Sequence, residues 1–533
     1  MSGFRQPECP REQMVLWTQR LDDALPADHP VRHFEFLLRS SAFAETFADW
    51  ENDYVLVEGK PPYHPRDLAG LYLYGMMNRI RSSRQLEASS YNRLDLIWLL
   101  QGQHPDHSTI ADFVKRHGPR LRQLFRDTLR VLLKAKLVKL DHVAVDGTKV
   151  EADAGRNSIR SQETIEAELA GLDARIDALE QEWQENESRE TSLFGADAPW
   201  ASKQTGGPRQ QLARLERRQA KLRKALAEIG RRQAESSASG REVKAIASVT
   251  DPESRVMKDK AGRRKPNYNM QLVVDTEQGA ILAHDVSDAA EDSGQLTPML
   301  EQVSTNCGQL PGEASADSQY NTGPELAWLE EKEVVGHLPD CGTSSQERDG
   351  DSVAEKVLRK VTRGERVTAE EWAALPRDTT KLLSRVAFRY DARTDEYICP
   401  AGQRLRYFRQ SQDVKKWGTA YRRHYGRCAA CAGCAQASIC CRRPEAGRSV
   451  TRDQYESQRE RMRSRMSTEL GRARYRLRRQ TVEPRFGQIK SHLGVRRLLH
   501  RGLTAVKTEW ALVCTAVNIG IVLQHWRAVA GVL

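Results

Sequence analysis

Apolar segments that run straight into aspartate constrain this chain most. Val143-Ala-Val145 leads into Asp146-Gly147. Tyr268 to Val274 alternates in polarity and ends at Asp275, and after a Gln-Gly turn Ala280 to Ala283 reads as the returning strand. Asp285 to Leu300 reads as a loop and then a helix. Glu313-Ala-Ser-Ala316 runs into Asp317, followed by a helix from about Pro324 to Glu331 and a strand at Val334 to Leu338. Strand, hairpin strands, helix, strand, helix, strand is the order of a mixed α/β sheet. Most aspartates at strand ends cap turns. Neighbouring strand ends, however, would set Asp146 and Asp317 side by side.

A third acid stands in a basic helical run, Tyr475 to Lys490. Between Arg442 and Arg501 there are 18 Lys or Arg against 6 Asp or Glu, while the whole chain is only +11. Such a local positive field suits a phosphate backbone. Helical steps of four and seven put Arg479, Glu483 and Lys490 on one face. A surface ion-pair ladder is the plain reading of that row. The alternative is an acid that holds a cation against phosphate. Three converging carboxylates repel unless they share divalent cations. Mg²⁺ takes oxygen ligands and keeps substrate phosphate oxygens in its shell. Pro484 directly after the acid removes one helix hydrogen bond, so a kink or a fresh helix start is expected there.

Residues 1–135 read as helical, with breakers at Asp28-His-Pro30 and Pro61 to Pro65 and a helix start at Ser108 to Asp112. A large insertion follows. Ile165, Leu169, Leu172, Ile176, Leu179 and Trp183 form a coiled-coil seam, and Leu212, Leu215, Leu222, Leu226 and Ile229 repeat the rhythm after a Gly-Gly-Pro loop. Residues 162–190 carry ten acids and two bases, and residues 209–232 nine bases and two acids. Opposite charge favours an antiparallel hairpin over a dimerising coil, although each exposed pair is worth only about 0.3–0.5 kcal/mol. The expected units are 1–135, a helical domain; 136–160 with 236–340, the first parts of the sheet; 161–235, the hairpin; 341–450, a second insertion; and 451–533, which carries the last acid.

Six of the ten cysteines fall between Cys399 and Cys441. Met1 to Pro30 has no secretion pattern, so clustered thiols favour metal over disulfides. Trp510 to Trp526 is interrupted by Asn518 and Gln524 and reads as a buried helix, not a membrane span. A composition of 39% hydrophobic and 29% charged residues is that of a soluble protein. The expectation is a cytoplasmic, nucleoid-associated protein with no membrane partner and no small-molecule substrate.

Taken together, Val-Ala-Val-Asp146-Gly-Thr-Lys149, Asn267 to Asp275, Ala316-Asp317-Ser-Gln-Tyr320 and Val482-Glu483-Pro-Arg-Phe-Gly-Gln-Ile-Lys490 resemble the DDE transposases of bacterial insertion sequences. The group is the ribonuclease H-like one with a Tyr, Arg, Glu, Lys signature around its last acid. Asp28 to Arg32, Pro61 to Pro65, Tyr74 to Ser83 and Pro105 to Thr109 resemble its N-terminal helical domain. The resemblance covers nearly the whole chain, least in about 342–385. It implies an α/β, ribonuclease H-like mixed sheet with an N-terminal helical DNA-binding domain, the inserted hairpin and a zinc-binding insertion. It implies that Asp146, Asp317 and Glu483 hold two Mg²⁺ or Mn²⁺ ions. It implies DNA contacts at Tyr475, Arg479 and Lys490, with Arg485 and Lys149 beside them. Three residues separate Tyr475 from Arg479 where the family has two. Cys431, Cys434 and Cys440, with Cys399 upstream, resemble the family's compact cysteine motif and would hold a structural Zn²⁺. Cys428 could replace Cys434, and Cys441 is a further candidate.

The implied activity is binding of inverted-repeat element ends in double-stranded DNA, phosphodiester cleavage, and joining of 3′ ends to target DNA by a homodimer. The competing readings are a catalytically silent DNA-binding descendant and a metal-dependent nuclease without strand transfer. His284, Asp288 and Asp292 follow the hairpin strands and read as polar loop residues, and Arg156 is a candidate phosphate contact.

Overall fold

The computed structural model describes residues 20–54, 61–194, 208–238, 245–258, 262–340, 353–378, 380–415, 418–426 and 428–529. Expectations that fall at residues 1–19, at the Gly206-Gly207 loop and at the start of the second insertion (341–352) lie outside these residues. The chain divides into two compact units, Met1–Val131 with Leu512–Leu533, and Leu132–Ala511.

The first unit is helical. Its helices are Pro30–Leu38, Ser41–Asn52, Pro65–Met77, Ser83–Asn92, Leu94–Leu99, His107–Arg116 and most of Gly118–Lys134. The two His-Pro pairs read as breakers are helix starts. His29 Nδ1 accepts from the Val31 amide at 3.3 Å and His64 Nδ1 from the Arg66 amide at 3.1 Å, while each proline takes the first turn, where its missing N–H costs nothing. Asp106 caps His107–Arg116 through the Ser108 and Thr109 amides. Trp50 fills the core, stacked on Phe113 with ring centroids 5.2 Å apart, and its indole N–H donates to His117 Nδ1 at 2.9 Å.

The second unit is built on a six-stranded sheet. Its strands are β1 (His142–Glu151), β4 (Arg255–Lys258), β5 (Arg264–Asp275), β6 (Ile281–Ser287), β7 (Glu313–Ser315) and β8 (Val335–His337), while β2 (Ile159–Ser161) and β3 (Ile246–Ser248) pair separately. β1 is antiparallel to β5 and parallel to β7, β7 is parallel to β8, and β5 also pairs antiparallel with β4 and β6. Val143, Ala144, Val145, Leu272, Val273 and Val274 are fully buried, as a sheet covered on both faces requires. One reading from sequence is corrected. Asp146 does not end its strand, because β1 keeps pairing with β5 from Gly147↔Gln271 to Glu151↔Asn267.

Helices Gln162–Phe194 and Pro208–Ala238 lie antiparallel between β2 and β3. Ile165, Leu169, Leu222, Ala225 and Ile229 form their seam, Gln233 donates to Gln162 at 2.9 Å, and Arg218 pairs with Glu168 at 2.8 Å. A five-stranded antiparallel sheet follows, in the order β13-β12-β11-β10-β9. Its strands are β9 (Arg389–Asp391), β10 (Glu396–Ile398), β11 (Arg404–Lys415), β12 (Gly418–Gly426) and β13 (Val450–Asp453). Within the stretch where the resemblance is least, helices Val353–Arg363 and Ala369–Ala374 send Val357, Val361 and Trp372 into the same core as Tyr397 and Tyr425 of this sheet.

The C-terminal helices are Glu456–Met466, Glu469–Ser491 and Leu503–Val529. The second of them runs through Pro484 as one helix, so of the two expected outcomes the fresh helix start does not occur. Arg479, Gln480 and Pro484 are exposed, so water can satisfy the carbonyl that loses its partner. The stretch Leu503–Ala528 is long and apolar enough to cross a membrane, and 89% of its apolar window is buried within the protein.

Candidate active site

Strand register brings the two aspartates together. Ala144 of β1 pairs with Ser315 of β7, so two residues farther on Asp317 comes level with Asp146. Asp317 has left the ladder, and its carboxylate accepts from the Gln319 amide at 2.8 Å, capping the turn Ser318–Tyr320. The helix Glu469–Ser491 packs over β1 and β5, with Gly471, Tyr475, Arg478, Val482, Phe486 and Ile489 on its buried side.

Arg478 is the residue that the sequence reading missed. Its Nη2 lies 2.8 Å from Asp146 Oδ1 and its Nη1 3.3 Å from Glu483 Oε1, so one guanidinium spans two of the three acids. Asp146 and Arg478 are 13% and 9% exposed, and Glu483 is 50% exposed. Burial pushes the Asp146 carboxyl up to about 6; Arg478 opposes that rise and the Asp317 charge adds to it. Burial also disfavours the charge on Arg478, yet the Asp146 carboxylate beside it holds the guanidinium above its ordinary value. The family spacing contained the signal: two residues separate Tyr475 from Arg478. One step along the helix, about 100° of rotation, puts Arg479 on the exposed side instead.

A fourth carboxylate stands beside the three. Asp292 Oδ1 accepts from Asn269 Nδ2 and Gln271 Nε2, both at 2.6 Å, and Tyr320 donates its hydroxyl to Gln271 Oε1 at 2.5 Å. Burial raises the Asp292 carboxyl, the two amides oppose the rise, and the Asp317 charge adds to it. A Cβ at Gly147 would lie 2.4 Å from Asp292 Oδ1 and from Gln271 Nε2, so a side chain there would push these two groups aside. Sequence alone left Asp292 a polar loop residue, because its approach depends on the path of the chain after β6.

The other expected contacts are distributed differently. Lys490 Nζ donates to Thr148 Oγ1 at 2.6 Å and to the Lys149 carbonyl at 3.2 Å, on the strand of Asp146. Lys149 is half-buried, with its Nζ 3.4 Å from the Lys258 carbonyl. Tyr475 is buried on the inner face of the helix. Arg485 donates to the Gln278 carbonyl at 3.3 Å and to Gln488, pinning the β5–β6 turn, and burial lowers its pKa.

Among the described residues, no group of three His, Cys, Asp or Glu is arranged to hold a metal ion. At the acids, Arg478 supplies the positive charge between Asp146 and Glu483. In the second sheet, Cys399, Cys428, Cys431, Cys434, Cys440 and Cys441 line one cavity with Trp372, Phe388 and Arg448. The Cys441 thiol hydrogen-bonds both Cys431 and Cys440. Burial pushes Cys440 up to about 12 and Cys441 up to about 11, so these thiols are protonated as they stand.

Two family models match the chain: a Transposase DDE domain over residues 398–522, and a Transposase domain (DUF772) over residues 19–116. Over these two regions the chain is similar to transposases of the DDE type. The DDE match takes in Glu483, Arg478 and the six clustered cysteines, while Asp146 and Asp317 lie N-terminal to it. The second match covers the helical unit up to Arg116. No curated protein and no solved structure matches this chain.

Proposed function

We propose that this transposase binds the inverted-repeat ends of an insertion sequence, cuts phosphodiester bonds there and joins the freed 3′ ends to target DNA. The observation that carries this reading is the meeting of acids from three elements: the β1–β7 register levels Asp317 with Asp146, and Arg478 ties Asp146 to Glu483. Support for a ribonuclease H-like core comes from the strand order, with β1 between antiparallel β5 and parallel β7, and β8 beyond.

The oxygen donors are of the kind a hard divalent cation takes, with Arg478 standing between Asp146 and Glu483 in this structure. Asp146, Asp317 and Glu483 would hold two Mg²⁺ or Mn²⁺ ions, which when bound activate the attacking hydroxyl and stabilise the leaving oxygen. In cleavage, water adds to phosphorus and the P–O3′ bond breaks, giving a 3′-hydroxyl and a 5′-phosphate. In joining, that 3′-hydroxyl attacks a target phosphodiester and displaces its 3′-oxygen. Asp317 is preoriented by its turn, Gly147 leaves room for the Asp292 and Gln271 side chains beside β1, and Lys490 anchors the helix to β1. Arg479 and Lys149 contact DNA phosphates, the buried Tyr475 packs the helix inward, and the half-buried Arg485 ties it to the β5–β6 turn. The helical unit reads the element ends, a homodimer holds two ends together, and the protein works on the nucleoid in the cytoplasm. The cysteine cavity takes one structural Zn²⁺, which would ionise its thiols and staple the second sheet.

The test is a joining assay with the full chain, Mg²⁺ or Mn²⁺, a pre-cut end duplex carrying a free 3′-hydroxyl, and a plasmid target. The expected result is end DNA covalently joined to plasmid by the native protein and no joined product with Glu483→Gln. Cleavage of uncut ends without any joining would instead identify a nuclease.

A further inference from the structure

Arg478 occupies the position of a cation. It is 9% exposed at the side chain and holds Asp146 and Glu483 through separate nitrogens. Its Nε is buried and has no hydrogen-bond partner, so the guanidinium is incompletely satisfied in this pose. Asp146 and Asp317, by contrast, are not bridged by an arginine among the described residues. The acids therefore offer two unequal places for a positive charge. The place between Asp146 and Asp317 is left to a cation from outside. The place between Asp146 and Glu483 is filled by the protein itself.

We propose that Arg478 is a positioning residue that reserves the Asp146–Glu483 position until DNA arrives. This rests on the reading of Asp146, Asp317 and Glu483 as divalent-cation ligands. A cation and a guanidinium cannot both sit between the same two carboxylates, so filling that position requires Arg478 to leave. A DNA phosphate at the site provides a destination: it offers the anionic oxygens that the guanidinium lacks at Nε, and arginine pairs with phosphate in a bidentate fork. The side chain thus exchanges two carboxylates for one phosphate as DNA binds. Without DNA the chain takes one cation at the acids, and with DNA it takes two. The consequence is an acid site that does not complete itself away from a substrate backbone.

Manganese titration of the intact, zinc-loaded protein tests this, with free Mn²⁺ followed by its electron paramagnetic resonance signal. The wild type is expected to bind one Mn²⁺ per chain alone and two with a DNA duplex. Arg478→Gln is expected to bind two without DNA, with at least a tenfold tighter second site than the wild type. Arg478→Lys restores a positive charge but not the fork and should fall between them. Asp317→Asn should remove the first ion. Two equal ions on wild-type protein without DNA overturn the proposal. So does an Arg478→Gln protein that still needs DNA for its second ion, since phosphate ligation rather than arginine release then explains the difference. If Arg478→Gln does not fold, the wild-type comparison with and without DNA still decides: an unchanged count overturns the proposal. No Mn²⁺ at the acids under any condition overturns the divalent-cation reading itself, and this proposal with it.

Discussion

At the scale of single residues, burial sets the cost of each charge. Glu325 illustrates this away from the acids. It is 3% exposed, accepts from the Leu296 amide at 2.8 Å and from the Thr322 hydroxyl at 2.7 Å, and burial pushes its carboxyl up to about 7. A carboxyl whose pKa is raised on folding binds its proton more tightly in the folded state. Its contribution is therefore fully present below the unfolded value and is lost as pH rises through about 7. Over that span the loss is on the order of 3 kcal/mol. Denaturant unfolding of the wild type should show stability falling between pH 5 and 8, and Glu325→Gln should flatten that slope. An identical slope in the variant would show that Glu325 does not titrate in this window. Local pattern alone singled out Asp146 after an apolar run, Asp317 after another and Glu483 among bases as candidates. Arg478 and Asp292 were not legible as site residues. The first depends on which face of a helix turns inward, and the second on where a loop returns, and both are decided by packing.

At the scale of elements, periodicity carried the hairpin and the β5–β6 turn, because seam spacing and a positive-φ Gly279 are local properties. The end of β1 was misjudged for the opposite reason. Gly147 looks like a terminator in sequence, but its missing side chain is what lets Asp292 and Gln271 pack against a strand that continues. The helix likewise runs on through Pro484, where solvent on the outer face can supply the bond that proline removes. The second sheet is the element with the most to gain from a ligand. Its core mixes Tyr397, Tyr425 and Trp372 with Cys440 and Cys441. Elemental analysis of the reduced, purified protein should find one zinc per chain, and chelation should lower the thermal midpoint. Cys441→Ser and Cys431→Ser should each reduce the zinc content, because those two thiols already touch. Protein that melts unchanged and carries no zinc would leave the six thiols as an apolar packing cluster.

At the scale of the whole molecule, the order of strands and helices follows from hydrophobic pattern, and the long separations between Asp146, Asp317 and Glu483 are closed by the sheet. The parallel β1–β7 pairing spans more than 160 residues, including the helical hairpin, and no local signal specifies it. From sequence it stood only as a condition, that neighbouring strand ends would set Asp146 and Asp317 side by side. The most direct measurement is single-turnover nicking of duplex DNA that spans an element boundary, with Mg²⁺ or Mn²⁺, comparing the native protein with Asp317→Asn at matched DNA occupancy. The account predicts metal-dependent nicking at the boundary by the native protein and a loss of at least a hundredfold in the variant, with DNA binding retained. Equal nicking by both proteins would contradict the assignment of these acids as the reactive centre.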